Sequence, residues 1–167
     1  MARGSINLAV LAAVAAAAIP AGALARESLG LFDGWAAFRD RDVPRCYAIA
    51  KAAPSSLRRD YEPYATVGHW PDEGIRAQVH FRLSREMARS STISLDIGDR
   101  EFLLTGGGGD AWARDKTMNA AILAAMRSAA SMKIAARDDR GQSFSNSYDL
   151  RGASSAVDAA SRACAKL

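Results

Sequence analysis

The hydrophobic pattern changes character along the chain. Residues 6–19 are an apolar run rich in Ala, Val and Leu. From about 35 to 112 apolar and polar positions mostly alternate, the period of a half-buried strand. The cleanest case is 75–83. There Ile75, Ala77, Val79, Phe81 and Leu83 share one face, and Arg76, Gln78, His80 and Arg82 the other. Residues 64–70 precede it across Pro71-Asp72-Glu73-Gly74, which predicts a hairpin. Placing Trp70 opposite Ile75 sets Thr66 against Val79 and Tyr64 against Phe81 on the buried face. It also puts His69 and His80 on one outer face.

Earlier, 35–38 predicts a short strand and 39–44 a charged turn closed by Pro44. In the 45–50 strand Cys46, Ala48 and Ala50 face one way, and Tyr47, Ile49 and Lys51 the other. Apolar groups on both sides predict an interior strand. Residues 92–97 and 101–105 form a second hairpin about Gly98-Asp99. Gly106 to Gly109 reads as a loose connection, and 111–113 as one more short strand.

After Asp115 the spacing becomes helical. Met118, Ala121, Ile122, Ala125 and Ala129 form a stripe over 116–131, with Asp115 as the cap. A hairpin of 132–137 and 143–150 follows. A final helix opens at Ser155, with Asp158 as a weak capping-box partner and an Asp158–Arg162 surface pair. Ala156, Val157, Ala160, Cys164 and Leu167 fall on its inward stripe. Many short strands followed by two helices predict a mainly β fold: an antiparallel β-sandwich with two helices in the C-terminal half.

The apolar run changes the domain count. Arg3, the run 6–19, a break at Pro20 and Gly22, and Ala23-Leu24-Ala25 follow the order of a secretory signal peptide cleaved after residue 25. A membrane anchor is the alternative, but a span needs about 20 apolar residues. Residues 26–167 then form a single domain with no later span, placed in the periplasm or secreted. The net charge of +4 falls to +3 without Arg3. Its acidic residues are spread throughout, unlike the concentrated basic face of a nucleic-acid binder. In an oxidising compartment Cys46 and Cys164 read as one disulfide, with two buried free thiols as the alternative.

Candidate chemistry is sparse. The glycine run is followed by Asp110 and Ala111, not the Gly-Lys-Ser/Thr of a phosphate loop. The two histidines lack a third ligand, so no metal or cofactor is expected. No serine sits in Gly-x-Ser-x-Gly. Asp138-Asp139 and Asp40 with Asp42 read as solvated turn carboxylates. Arg76, His80 and Arg82 share a strand face, with Arg58, Arg59, Arg85 and Arg89 elsewhere. They form a candidate basic contact surface for an acidic partner, against the plainer reading of a solvated face.

The order of elements adds a resemblance. Trp35-x-x-Phe38 and Cys46-Tyr47-x-Ile49 come early. A helix with Ile122 and Met126 leads to Met132-x-Ile134, a turn at Gly141, and Tyr148-x-Leu150-x-Gly152 before a helix with Ala156. This resembles the invasion-associated locus B family of exported bacterial proteins, across most of residues 26–167. The resemblance implies a periplasmic or surface β-sandwich without a cofactor, whose activity is poorly defined. Members often carry another cysteine soon after the early tryptophan, where this chain has Phe38 and charged neighbours.

Two functions follow as expectations. One is a non-enzymatic exported module that binds a protein or envelope component. The other is a small periplasmic hydrolase with His69 or His80 as general base.

Overall fold

The computed structural model describes residues 26–165. The expected signal peptide, and Leu167 of the expected final-helix stripe, lie outside the described residues. Ten strands form one antiparallel sheet: β1 (Arg26–Phe32), β2 (Trp35–Asp40), β3 (Arg45–Lys51), β4 (Tyr64–Trp70), β5 (Ile75–Arg82), β6 (Ile93–Ile97), β7 (Arg100–Gly107), β8 (Asp110–Trp112), β9 (Ser131–Arg137) and β10 (Ser143–Asp149). Two helices accompany them, α1 (Lys116–Ser128) and α2 (Ala153–Cys164). The strand order is β1-β2-β3-β4-β5-β8-β7-β6-β9-β10.

The mainly antiparallel β class with two helices is as expected, but the sheet is single where a sandwich of two was expected. The physical reason lies in β7. Its residues 100–104 pair with β6 and its residues 105–107 with β8, so one strand runs through both halves. The sheet then curls, a half-barrel whose last strand approaches the ends of β2 and β3. The Trp35 indole N–H donates to the Asp149 carbonyl at 2.8 Å, and the Ala53 N–H to the Ser147 carbonyl at 2.8 Å. Inside the curl the Phe81 and Tyr148 rings lie 6.0 Å apart.

Small residues decide where the helices go. The inner face of β2, β3 and β4 carries Ala37, Ala48, Ala50 and Ala65, all buried. Such a surface lets a helix approach closely, and α2 meets it with Ala153, Ala156, Val157 and Ala160. The Cys46–Cys164 disulfide lies at this contact. Met126, Ile122 and Ala125 of α1 fill the core beside it. Asp115 caps α1 as expected, its Oδ1 accepting the Met118 N–H at 2.7 Å.

The β4–β5 hairpin departs from the expected register. Trp70 opposes Ile75, but a bulge at Arg76–Ala77 shifts everything beyond it. Val67 therefore meets Val79, and Ala65 meets Phe81. Ala65, Val67 and His69 carry the buried side chains of β4; Tyr64 and Thr66 face outward. His69 and His80 thus lie on opposite faces.

Several other local expectations are corrected. Arg26–Phe32, where no strand was expected, forms β1. Of the glycine run, Gly106 and Gly107 end β7 and Gly108-Gly109 make a tight turn into β8, with Gly108 at φ 59°; the strands approach so closely that a Cβ on Gly106 would sit 2.2 Å from the Asp110 carbonyl oxygen. α2 opens at Ala153 behind Gly152, with no side-chain cap, in place of Ser155 with its capping box. Asp158 pairs with Arg127 of α1 at 3.0 Å, tying the two helices together.

Two carboxylates read as solvated are buried. Asp40 accepts from Arg45 at 2.7 Å and Arg26 at 3.4 Å. Asp138 pairs with Arg85 at 2.9 Å and accepts the backbone N–H groups of Arg140 and Gln142. Arg85 also donates to the Arg58 carbonyl, so the pair ties the loop after β5 to the β9–β10 turn. Burial pushes the Asp138 carboxyl up. The Gln142 N–H, the Arg85 guanidinium and the Arg140 N–H outweigh it and hold the carboxyl below its ordinary value. A carboxyl lowered on folding contributes stability above its unfolded value, about 4, and loses it as the pH falls through the folded value. Thermal melts should show a steeper loss of stability below pH ~4 in the wild type than in Asp138→Asn. Parallel curves would mean that Asp138 carries no share of the acid sensitivity.

Candidate functional site

The outer face of the sheet carries the strongest gathering of functional side chains. Successive partners Leu31, Ala36, Ile49, Thr66, His80 and Trp112 form one row across six strands. All six are partly or fully exposed, and Leu31 is 76% exposed. The next row runs Lys51, Tyr64, Arg82 and Asp110. α2 lies on the opposite face, over the small inner residues.

His80 is the centre of this face. Its ring sits between Trp112, with centroids 5.1 Å apart, and Tyr64, at 5.9 Å edge-on. Its Nε2 lies 3.0 Å from Asp110 Oδ1, and Thr66 Oγ1 is 3.4 Å from its Nδ1. Arg82 donates to the other oxygen of Asp110 and stacks over Tyr61, its guanidinium carbon 3.8 Å from the ring centroid. Stacking and the ion pair together hold a planar cation in a fixed orientation. Asp110 thus joins His80 and Arg82 into one unit.

Arg76 does not join that unit. The bulge carries it away from His80, and it is exposed along a separate groove of about 780 Å³. Gln78, Trp112, Arg114 and Lys116 also line this groove. Trp112 therefore connects the two regions. The groove exists because β8 pairs with β5 only at residues 80–82, which leaves the rest of that edge of β5 open. Asn119 of α1 covers part of it. Its Oδ1 accepts the Val79 N–H at 2.9 Å, and its Nδ2 donates to the Ala77 carbonyl at 2.8 Å.

No family model, curated protein or solved structure matches this chain. Among the described residues no three His, Cys, Asp or Glu side chains converge to hold a metal, and no helix is long and apolar enough to cross a membrane.

The alternation of the sequence singles out His80 and Arg82 as candidate contact residues, but it gives no sign of Asp110, Tyr61 and Trp112 beside them or of Asn119 in the groove. Asp110 was read only as a residue unsuited to phosphate. Its partnership depends on β8 crossing beside β5, a pairing of strands separated by two others in the chain. Asn119 had one available signal: asparagine is a weak helix former that competes for backbone groups, so its place inside α1 invites a structural reason.

His69, the other candidate base, is only 6% exposed. Its Nδ1 accepts the Ala77 N–H at 3.3 Å. Burial, aided by the charge of Arg76, pulls its pKa below the ordinary value, so the ring stays neutral. It lies beneath the helices, apart from the outer face.

Proposed function

We propose that this chain is an exported, non-catalytic interaction module of the invasion-associated locus B type. It acts in the periplasm or at the surface and binds a protein or envelope component. The observation that carries the reading is the outer-face unit of His80, Asp110 and Arg82 between Tyr64, Trp112 and Tyr61. Aromatic groups and an oriented arginine on an open sheet face are the residue types that dominate protein contact surfaces. Arg76 in the adjoining groove extends the surface and adds positive charge, which favours an acidic partner. The buried disulfide supports an oxidising compartment.

The test compares wild type with Arg76→Glu/His80→Glu/Arg82→Glu in capture from an envelope extract. The wild type should retain a partner that the triple variant loses by about tenfold or more, with the variant's circular dichroism showing that it remains folded. Equal retention by both, or no retained component, overturns the reading.

One observation favours the hydrolase alternative. Thr66 Oγ1, the His80 ring and the Asp110 carboxylate lie in the order of a nucleophile, base and orienting acid. Against it, Thr66 Oγ1 also lies 3.5 Å from the His80 carbonyl, and the string sits on an open face. If the wild type turns over a nitrophenyl ester and the triple variant does not, the hydrolase reading takes the place of the first.

A further inference from the structure

The outer-face unit has little positive charge left to offer. Asp110 already compensates Arg82 and holds His80. An anion that approached there would meet a carboxylate and a cation already paired. The same holds for the arginines of the first strands. Arg26 and Arg45 pair with Asp40, and Arg39 and Arg41 with Glu27.

The groove between β5 and α1 is different. Arg76 stands on its β5 wall, and Arg114 and Lys116 on the segment that leads from β8 into α1. All three are exposed, and no ion pair engages any of them among the described residues. Two carboxylates also border the groove. Asp115 is engaged by α1, its Oδ1 accepting the Met118 N–H, and Glu73 is exposed in the turn before β5. Positive charge is therefore in excess. Ile75, Trp112 and Leu123 are half-buried and give the same groove an apolar lining. Asn119 settles the mode of contact. Its amide already holds the Val79 N–H and the Ala77 carbonyl, so a ligand cannot add as a further strand at those groups. It must be recognised through side chains.

We propose that this groove receives an extended acidic peptide segment of the partner. Its carboxylates pair with Arg76, Arg114 and Lys116, and its apolar side chains lie on Ile75, Trp112 and Leu123. The proposal rests on the chain being an interaction module, and it divides the surface. The groove selects negative charge, and the His80–Asp110–Arg82 unit makes stacking and hydrogen-bond contacts. The placing of the cations favours a peptide over a lipid or a nucleotide. They stand on two walls and share the groove with apolar side chains, so the ligand needs charge at more than one point along its length. A lipid or a nucleotide carries its charge at one end. Each exposed pair is weak and screened by salt, and several together give a usable preference.

The probe is a fluorescein-labelled heptapeptide of alternating glutamate and leucine, with the glutamine-for-glutamate peptide as its uncharged control. Anisotropy with the purified, disulfide-bonded protein should rise saturably with the acidic peptide, and the control should bind about tenfold more weakly or worse. Arg114→Glu/Lys116→Glu keeps Asp115 as the cap of α1 and should weaken the acidic peptide about tenfold or more. His80→Gln should change it by less than about twofold. Circular dichroism checks that both variants are folded. Equal binding of the two peptides overturns the proposal, as does an acidic peptide that the groove variant binds as well as the wild type. Binding to phosphatidylglycerol vesicles that the groove variant loses, with no peptide bound, also overturns it and makes the groove a site for an anionic surface. If the peptide fails while capture from the envelope extract is still lost in Arg76→Glu/His80→Glu/Arg82→Glu, the interaction module stands and this assignment alone falls.

Discussion

Replacing Gly152 with alanine should cost about 3 kcal/mol of stability or more. Two independent causes act together. Gly152 is the residue before α2 and adopts φ 79°, a left-handed conformation that a side chain strains by about 1 kcal/mol or more. A Cβ there would also sit 2.0 Å from the Phe32 carbonyl oxygen and 2.6 Å from its carbon. Both obstacles are backbone atoms at the β1–β2 turn, so no side-chain rotation relieves the clash. Either the turn or the start of α2 must move, and α2 is packed on β1 to β3. The control is Gly141→Ala. Gly141 has a similar φ of 74° with nothing within 4 Å of the added carbon, so only the strain remains. Urea denaturation should separate the two, with a midpoint shift for Gly152→Ala at least twice that for Gly141→Ala. Equal shifts would show that α2 does not begin against the β1–β2 turn.

Removing the disulfide should be comparably severe. The bridge spans 118 positions, from β3 to the last turn of α2. A cross-link over so long a loop removes many conformations from the unfolded chain, worth about 4–5 kcal/mol on the chain-entropy account and about 2–5 in practice. Both sulfurs are buried, so the replacement must be apolar; serine would add an unpaired hydroxyl. Cys46→Ala/Cys164→Ala should therefore lose about 4 kcal/mol relative to the oxidised wild type. Wild type under reductant should behave similarly. Intact mass with and without reductant checks the premise, since the oxidised chain is lighter by two hydrogens. A double variant as stable as the oxidised wild type would mean that α2 is held entirely by its packing.

The elements legible in the sequence were those whose pattern is local. Alternation placed Val79, Phe81 and Leu83 inward, and helical spacing placed Ile122 and Ala125 in the core. The two cysteines left one pairing, which the structure contains. What failed was set by backbone events with no residue signal of their own. The bulge at Arg76–Ala77 falls on an alanine, where glycine would have given notice, and it moved His69 from the surface to the interior. Asp138 sits in a turn that looks solvated until Arg85 arrives from a segment 53 positions earlier. The single curled sheet was hidden for a similar reason. The pairings of β5 with β8 and β6 with β9 join segments that are not neighbours in the chain, so no local pattern distinguishes them from a sandwich.

The candidate surface was legible in part. His80 and Arg82 alternate onto one face, and the structure joins them through Asp110. Arg76 follows the same alternation in the sequence, yet the bulge sends it to the groove. The site is therefore best described as two adjoining regions that meet at Trp112.

The position of α2 also bears on timing. It follows all ten described strands in the chain, and it covers the inner face of β1 to β3. Until it is available, that early meander has nothing to seal its alanine-lined side. Closing that face is a contact between segments about a hundred positions apart, which makes it slow to form. A chain that stops before Ala153 should therefore stay pliable and open to proteases.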